Sequence, residues 1–298
     1  SSVNSIKIVN SQNGVKLTFK SAGDQPAIST SDDLATIRAR EIVEEISHIE
    51  IAANSQLEQP LLLERANLTG KPQASRTLIT CGANSHATII LSNSGDAILS
   101  DEIEFDLSQG STLTFVSLQE WSSKAIHLGR QHAIIAKDAT FNSIVVTVGG
   151  SLVRLLPTVE YRGPGSSADL QGLYFATDGQ HLEHRLHVDH NVPNAKSRVN
   201  YKGALAGDKA HTVWIGDVYI RSNAEGTDTY ELNRNLLLSD GARADSVPNL
   251  EIETGEIVGA GHASTTGRFD DEQLFYLSSR GIPAEIARRL VIRGFFAE

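Results

Sequence analysis

SQGSTLTFVSLQEWSSKAIHLGRQHAIIAKDATFNSIVVTV, residues 108–148, carries the pattern on which the fold turns. TLTFVSL, HAIIA and SIVVTV are short runs rich in β-branched and aromatic residues, the mark of strands. The turn clusters SQGS (108–111) and AKDA (136–139) punctuate them, and no helical period runs through. The pattern continues in both directions. TLITC, ATIILSN and EIEFDL precede it, and LQGLYFA, TVWIGDVYI, NLLLS and NLEIE follow, with further clusters at GPGSS (163–167) and PNAKS (193–197). The clusters recur at roughly 28-residue intervals, each followed by a small or polar residue and then a new strand. Strands in series with a loose repeat predict a coiled β-solenoid, with a β-sandwich as the alternative.

The flanks differ from this body. IKIVN and VKLTF alternate apolar and polar residues around Asn13-Gly14, which predicts an N-terminal hairpin. Residues 31–47 follow Ser31-Asp32-Asp33 with Leu34, Ile37, Ile42, Val43 and Ile46 among charged residues, which predicts a capped amphipathic helix. At the other end Asp270, with Gln273 three residues on, predicts a capping box for a helix ending at Gly281. Pro283 then opens a second helix, IARRLVIRGFF. Such a pair either caps the solenoid or docks a partner.

Composition excludes several classes. A net charge of −10 argues against a nucleic-acid partner, and no run is long and apolar enough for a membrane span. The opening SSVNSIKIVN has neither a basic nor an apolar region, so no signal peptide is visible. The absent initiator Met leads us to expect a trimmed N-terminal segment. One cysteine, Cys81, allows no internal disulfide and fits a reducing compartment. It also cannot supply the several thiolates that hold an iron–sulfur cluster.

Candidate chemistry is sparse. His181, His184, His187 and His190 recur every three residues in HLEHRLHVDH, the spacing of a metal site if they share a face. Read as a strand, the run puts His181 and His187 on one face and His184 and His190 on the other, which favours hydrogen-bonding roles. A metal-binding module built on these histidines is the competing reading. No phosphate loop occurs, GPGSS reads as a turn, and Asp270-Asp271 reads as a helix start rather than a catalytic carboxylate pair. Asp101, Glu102, Glu104 and Asp106, the carboxylates a glycan lyase would need, read as surface charge flanking a strand. His262 stands among small residues in EIVGAGHASTTGRF, between the last strand and the helix cap.

YKGALAG, DTYELNRNLLLSDGARADSVPNLEIETGEIVGAGHAS and FDDEQLFYLSSRGI, with GQHLEH and VDHNVP upstream, resemble the SufD branch of the SufB/SufD family of iron–sulfur cluster assembly proteins. The resemblance is strong from about residue 172, diffuse over 60–171 and loose before that. It implies a right-handed parallel β-helix with a C-terminal helical segment, a missing N-terminal helical region, and a cytoplasmic, non-enzymatic scaffold. It further implies pairing with a SufB-like paralogue, or with a second copy in isolation, and docking of a SufC-like ATPase on the C-terminal helices. Phe275, Tyr276, Leu290 and Phe295 are the expected docking residues. ATP would belong to that ATPase, and a transient iron–sulfur cluster to the assembled complex rather than to the isolated chain. Many relatives carry Cys two residues before the histidine that aligns with His262, where this chain has Ala260. His262 then becomes the expected iron ligand, shared with the partner chain, since imidazole can replace thiolate. The domain reading is 1–59 for the N-terminal hairpin and helix, 60–268 for the β-helix and 269–298 for the helices. A β-helical polysaccharide lyase or hydrolase is the alternative function.

Overall fold

The computed structural model describes residues 1–269 and 271–297, and within that span the side chains of Asp271 and Gln273 are not described. The capping box assigned to Asp270 and Gln273 therefore lies outside the description, as does the Asp270-Asp271 pair. The chain begins with β1 (Ile6–Ile8), β2 (Val15–Ser21), α1 (Leu34–Ile42), β3 (Glu45–Ile51) and β4 (Leu61–Arg65). Next come β5 (Pro72–Cys81), β6 (His86–Gly95), β7 (Ile98–Leu107), β8 (Thr112–Trp121), β9 (Ile126–Ile135), β10 (Thr140–Thr147) and β11 (Leu152–Tyr161). β12 (Ser167–Ala176), β13 (His181–His190), β14 (Lys196–Leu205), β15 (His211–Ile220), β16 (Asp228–Leu237), β17 (Arg243–Ile252) and β18 (Gly259–Arg268) complete the sheets. α2 (Asp271–Ser279) and α3 (Ala284–Ala297) close the chain.

Consecutive strands from β3 onward fall alternately into two nine-stranded sheets, and each pairs in parallel with the strand two places on. That is a parallel β-solenoid of two strands per coil. The loose period in the sequence is the coil length: Thr112 pairs with Thr140 and Thr140 with Ser167, steps of 28 and 27 residues.

The turn clusters are one stacked corner. Asn84, Gly110, Asp138, Gly165, Asn194 and Gly226 all have φ between 55° and 73°. Asn, Asp and Gly tolerate that left-handed conformation best. Carbonyl-bearing side chains alternate with glycine for a steric reason: a Cβ at Gly110, Gly165 or Gly226 would collide with Oδ1 of Asn84, Asp138 or Asn194 respectively. The residue after each corner (Ser85, Ser111, Ala139, Ser166, Ala195 and Thr227) is small and buried.

Alternate residues of both sheets fill the space between them. In the N-terminal coils the filling is mainly hydrocarbon, with Phe105 against Phe115 and Phe141 at ring separations of 4.8 and 5.0 Å. Towards the C-terminus it turns polar, with Tyr174, Tyr201, Trp214, Asn233 and Asn235 all buried. The inward rows are therefore not drawn from apolar residues alone.

Three expectations need correction. β1 and β2 do not form a hairpin: β1 pairs antiparallel with β4 and β2 antiparallel with β3, in opposite sheets. The Asn13-Gly14 turn, with Gly14 at φ 81°, is a crossing between sheets, and both strands cover the first coil. The helix predicted over 31–47 ends at Ile42. Asp33 caps it as expected, but Val43 is extended (φ −71°, ψ 121°) and Ile46 already belongs to β3. The acidic run 101–106 is not surface charge. Glu102 and Glu104 are buried beneath the N-terminal segment, where Arg40, Arg76 and Arg130 pair with them. Asp101 points inward to Arg65 and to His127 at 2.5 Å. Burial would raise its carboxyl, yet those two partners hold it down to about 2. Of the four, Asp106 alone is not buried.

Candidate functional site

The solenoid has two unlike ends. Both ends have edge strands paired on one side only: the antiparallel β1 and β2 flank the first coil, and the parallel β17 and β18 form the open C-terminal end. Edge strands offer a row of backbone donors and acceptors to another chain. Pro248 at the centre of β17 lacks one such donor, and most of the β18 side chains are exposed. Val258, just before β18, is 76% exposed, and Val247 and Ile252 on β17 are exposed as well.

His262 lies here. It is not in a loop between the last strand and the helices: GAGHASTTGR is itself β18. In the parallel register His262 stands beside Glu231 of β16, and Ala260 beside Thr229. The Glu231 side chain is only 1% exposed and that of His262 43%, with Nδ1 to Oε1 at 3.7 Å. Neither Glu231 oxygen has a hydrogen-bond partner among the described residues. On the facing sheet Gly216 makes room, since a Cβ there would strike Glu231 Oε2 and the indole of Trp214. Burial, aided by the negative charge of Asp217, pushes the Glu231 carboxyl up to about 8. Trp214 Nε1 and Tyr201 Oη nearby in the same interior also lack partners among the described residues. The open end thus presents an imidazole backed by a carboxyl group that stays protonated at neutral pH. Such a pair can donate or accept protons, or offer nitrogen and oxygen to a cation brought by another chain.

Sequence reading missed Glu231. The signal was available, because the coil length places YELN one turn behind GHAS, so that the two residues share a face.

The histidine run is split as the alternation requires. His184 and His190 point inward, hydrogen-bonded to Thr147 at 3.0 Å and Ser197 at 2.9 Å, and burial pushes both down to about 4. These are neutral core imidazoles. His181 and His187 lie on the outer face. Cys81 is buried, and burial pushes its thiol up to about 12, far from a reactive thiolate. Among the described residues no three or more His, Cys, Asp or Glu side chains converge as a metal site.

The helices lie beside the body rather than across its end. Phe295 of α3 accepts a hydrogen bond at its carbonyl from Lys202 Nζ (3.1 Å), and the same ammonium sits 5.8 Å from the Phe295 ring. Lys202 faces outward from β14. Phe275 is 74% exposed, and Tyr276, Ile286 and Leu290 are exposed too. Three of the four expected docking residues are therefore open to solvent, while Phe295 anchors the helix to the sheet. Among the described residues no helix is long and apolar enough to cross a membrane.

The fold is a parallel β-solenoid with an appended helical pair, and comparison with known proteins gives it a family. Residues 64–295 match the family model described as "SUF system FeS cluster assembly, SufBD core domain", and the chain belongs to that family. It is 58% identical over 218 residues to the iron–sulfur cluster assembly SufBD family protein Rv1462 of Mycobacterium tuberculosis, covering 71% of this chain and 55% of the relative. It is 57% identical over 218 residues to ML0594 of Mycobacterium leprae, covering 71% and 56%. With the iron–sulfur cluster assembly protein SufD of Escherichia coli it shares 32% identity over 172 residues, 58% of this chain and 40% of that protein. The chain spans about half the length of the mycobacterial relatives.

Proposed function

We propose that this chain is a SufD-type scaffold subunit of a cytoplasmic iron–sulfur assembly complex. In this reading it pairs through its open solenoid end with a SufB-like paralogue, or with a second copy when the paralogue is absent. A SufC-like ATPase docks on α2 and α3 and brings the ATP, and the chain itself catalyses no reaction. The carrying observation is His262 on an edge strand paired on one side only, backed by the buried Glu231. A partner strand laid along β18 would bring its own side chains to that imidazole. Neutral histidine is a good iron ligand, and Ala260 leaves no thiolate beside it, so His262 would be this subunit's contribution to a transient cluster completed by the partner.

The polysaccharide-lyase reading loses its carboxylates, since Asp101, Glu102 and Glu104 are all engaged internally with Arg or His. The deciding experiment compares wild type with His262→Ala in the co-purified complex after anaerobic reconstitution. The complex should assemble equally well, because a 43% exposed side chain contributes little to stability. Bound iron and sulfide should fall sharply. Equal cluster content would remove His262 from the site, and loss of the complex would make it an interface residue.

A further inference from the structure

His181, on the outer face of β13, meets a residue that the sequence alone did not connect to it. His211 of β15 is its register neighbour, and the two Nδ1 atoms lie 3.1 Å apart. The other nitrogen of each ring is also engaged. His181 Nε2 is 3.0 Å from Glu183 Oε2, and His211 Nε2 is 2.8 Å from Asp245 Oδ2 of β17. Both carboxylates are held from behind, Glu183 by Arg185 and Asp245 by Arg243 Nε at 3.1 Å. The row therefore runs Glu183, His181, His211, Asp245 across three adjacent strands.

A neutral imidazole has one N–H and one lone pair, and an ionised carboxylate only accepts. A ring with a single hydrogen is best served by placing it on Nε2, towards its carboxylate, which leaves a lone pair on Nδ1. Two lone pairs 3.1 Å apart repel unless a proton or a metal ion lies between them. Zinc–nitrogen bonds of about 2.0–2.1 Å meeting at a tetrahedral angle separate the two nitrogens by about 3.3–3.4 Å, close to the spacing here. A carboxylate on the far nitrogen of each ligating histidine is the arrangement that fixes ring and tautomer in metal sites. Here it occurs twice. The imidazoles are 30% and 31% exposed, so an ion can reach them from solvent.

We propose that His181 and His211 form a two-imidazole site for a divalent transition ion of the zinc class. Glu183 and Asp245 act as positioning residues, and water completes the coordination. The site is on the outer face of the sheet opposite to that of His262, and it does not depend on the assembly reading.

The test titrates the tag-free chain with Zn²⁺ by calorimetry, and with Co²⁺ by visible absorption, which reports nitrogen ligation directly. Wild type should take up one equivalent, and His187→Ala, on the same face, should do the same. His181→Ala and His211→Ala should lose it. Asp245→Asn should keep the site but weaken it by about 10–100-fold. Far-UV circular dichroism checks that each variant folds. His211→Gln, which can still donate to Asp245 but has no azole nitrogen, serves if the Ala variant unfolds. Failure of the wild type to bind Zn²⁺ would show that only a proton bridges the rings, and would overturn the proposal. Undiminished uptake by the His181 and His211 variants would overturn it equally.

Discussion

Glu231→Gln tests the reading of the open end through its pH dependence. In the folded chain the carboxyl titrates at about 8, against 4.5 for an ordinary glutamate. A carboxyl raised in this way binds its proton more tightly folded than unfolded. Its contribution to stability is therefore fully retained below about pH 4.5 and is lost as pH rises through the window up to about 8. Between those two values each step of one pH unit removes at most about 1.4 kcal/mol. From pH 5 to pH 8 the loss comes to about 2–3 kcal/mol, allowing for the opening to solvent at the edge strand. Glutamine is the neutral isostere of the protonated form and leaves the same two atoms unpartnered. Urea melts of the isolated chain at pH 5, 6, 7 and 8 should show wild type and variant nearly equal at pH 5, with the variant ahead by about 2–3 kcal/mol at pH 8. Other titrating groups are common to both proteins and cancel in the difference. A difference that does not change with pH would mean that the Glu231 carboxyl titrates alike in the folded and unfolded chain, and would refute the argument.

Gly165→Ala should destabilise the solenoid by about 1–2 kcal/mol, since φ is 72° there and the new methyl meets Asp138 Oδ1 in the coil beneath. Gly70→Ala, which has open space and no positive φ, should change the urea midpoint little and serves as the control. Deleting residues 270–298 should abolish recovery of the ATPase in a pull-down while the β-rich circular dichroism spectrum persists. Retained ATPase would confine the helices to packing.

The coil was legible because its constraint is local and repeated. A left-handed corner needs Asn, Asp or Gly in every turn, and SQGS, AKDA, GPGSS and PNAKS each supply one. The four-histidine run was legible for the same reason, since a period of two splits a period of three. What stayed hidden depends on pairing across coils. Nothing near His181 in the chain points to His211, and nothing near His262 points to Glu231. Only the coil length joins them, and it varies from 26 residues between His86 and Thr112 to 32 between Lys196 and Asp228. A register error of one residue moves a side chain from the core to the surface. The same uncertainty made Glu102 and Glu104 look like solvent-facing charge, because a strand pattern cannot show that α1 lies over that face. β18 was missed because GAGHASTTGR has almost no strand propensity, and its pairing with β16 supplies what its residues lack.

The filling of the solenoid changes along its length. The first coil is flanked by the antiparallel β1 and β2 and the last by the parallel β17 and β18, all of them edge strands. Around Phe105, Phe115 and Phe141 there are neighbours on both sides, and hydrocarbon is stable there because water is excluded. In the last coils the interior instead carries Tyr201, Trp214, Glu231 and Asn233, all of them buried. Tyr174 and Asn235 satisfy Asn233 within the chain, but Tyr201 Oη, Trp214 Nε1 and both Glu231 oxygens find no partners among the described residues. Buried polar groups are usually paired, and each that is not costs about 1–3 kcal/mol. Four such atoms in the last coils, two of them on Glu231 beside the edge strand β18, are a standing cost in the isolated chain. Docking of a partner that supplies a donor or a cation at His262 would remove the share of it that falls on Glu231. Ionisation of Glu231 would then favour the complex, and assembly should strengthen between about pH 5 and pH 8, opposite in sign to the stability of the free chain over that range. Titrating the heterodimer dissociation constant across that window, for wild type and Glu231→Gln, would show the two trends crossing or show that the partner leaves the carboxyl neutral.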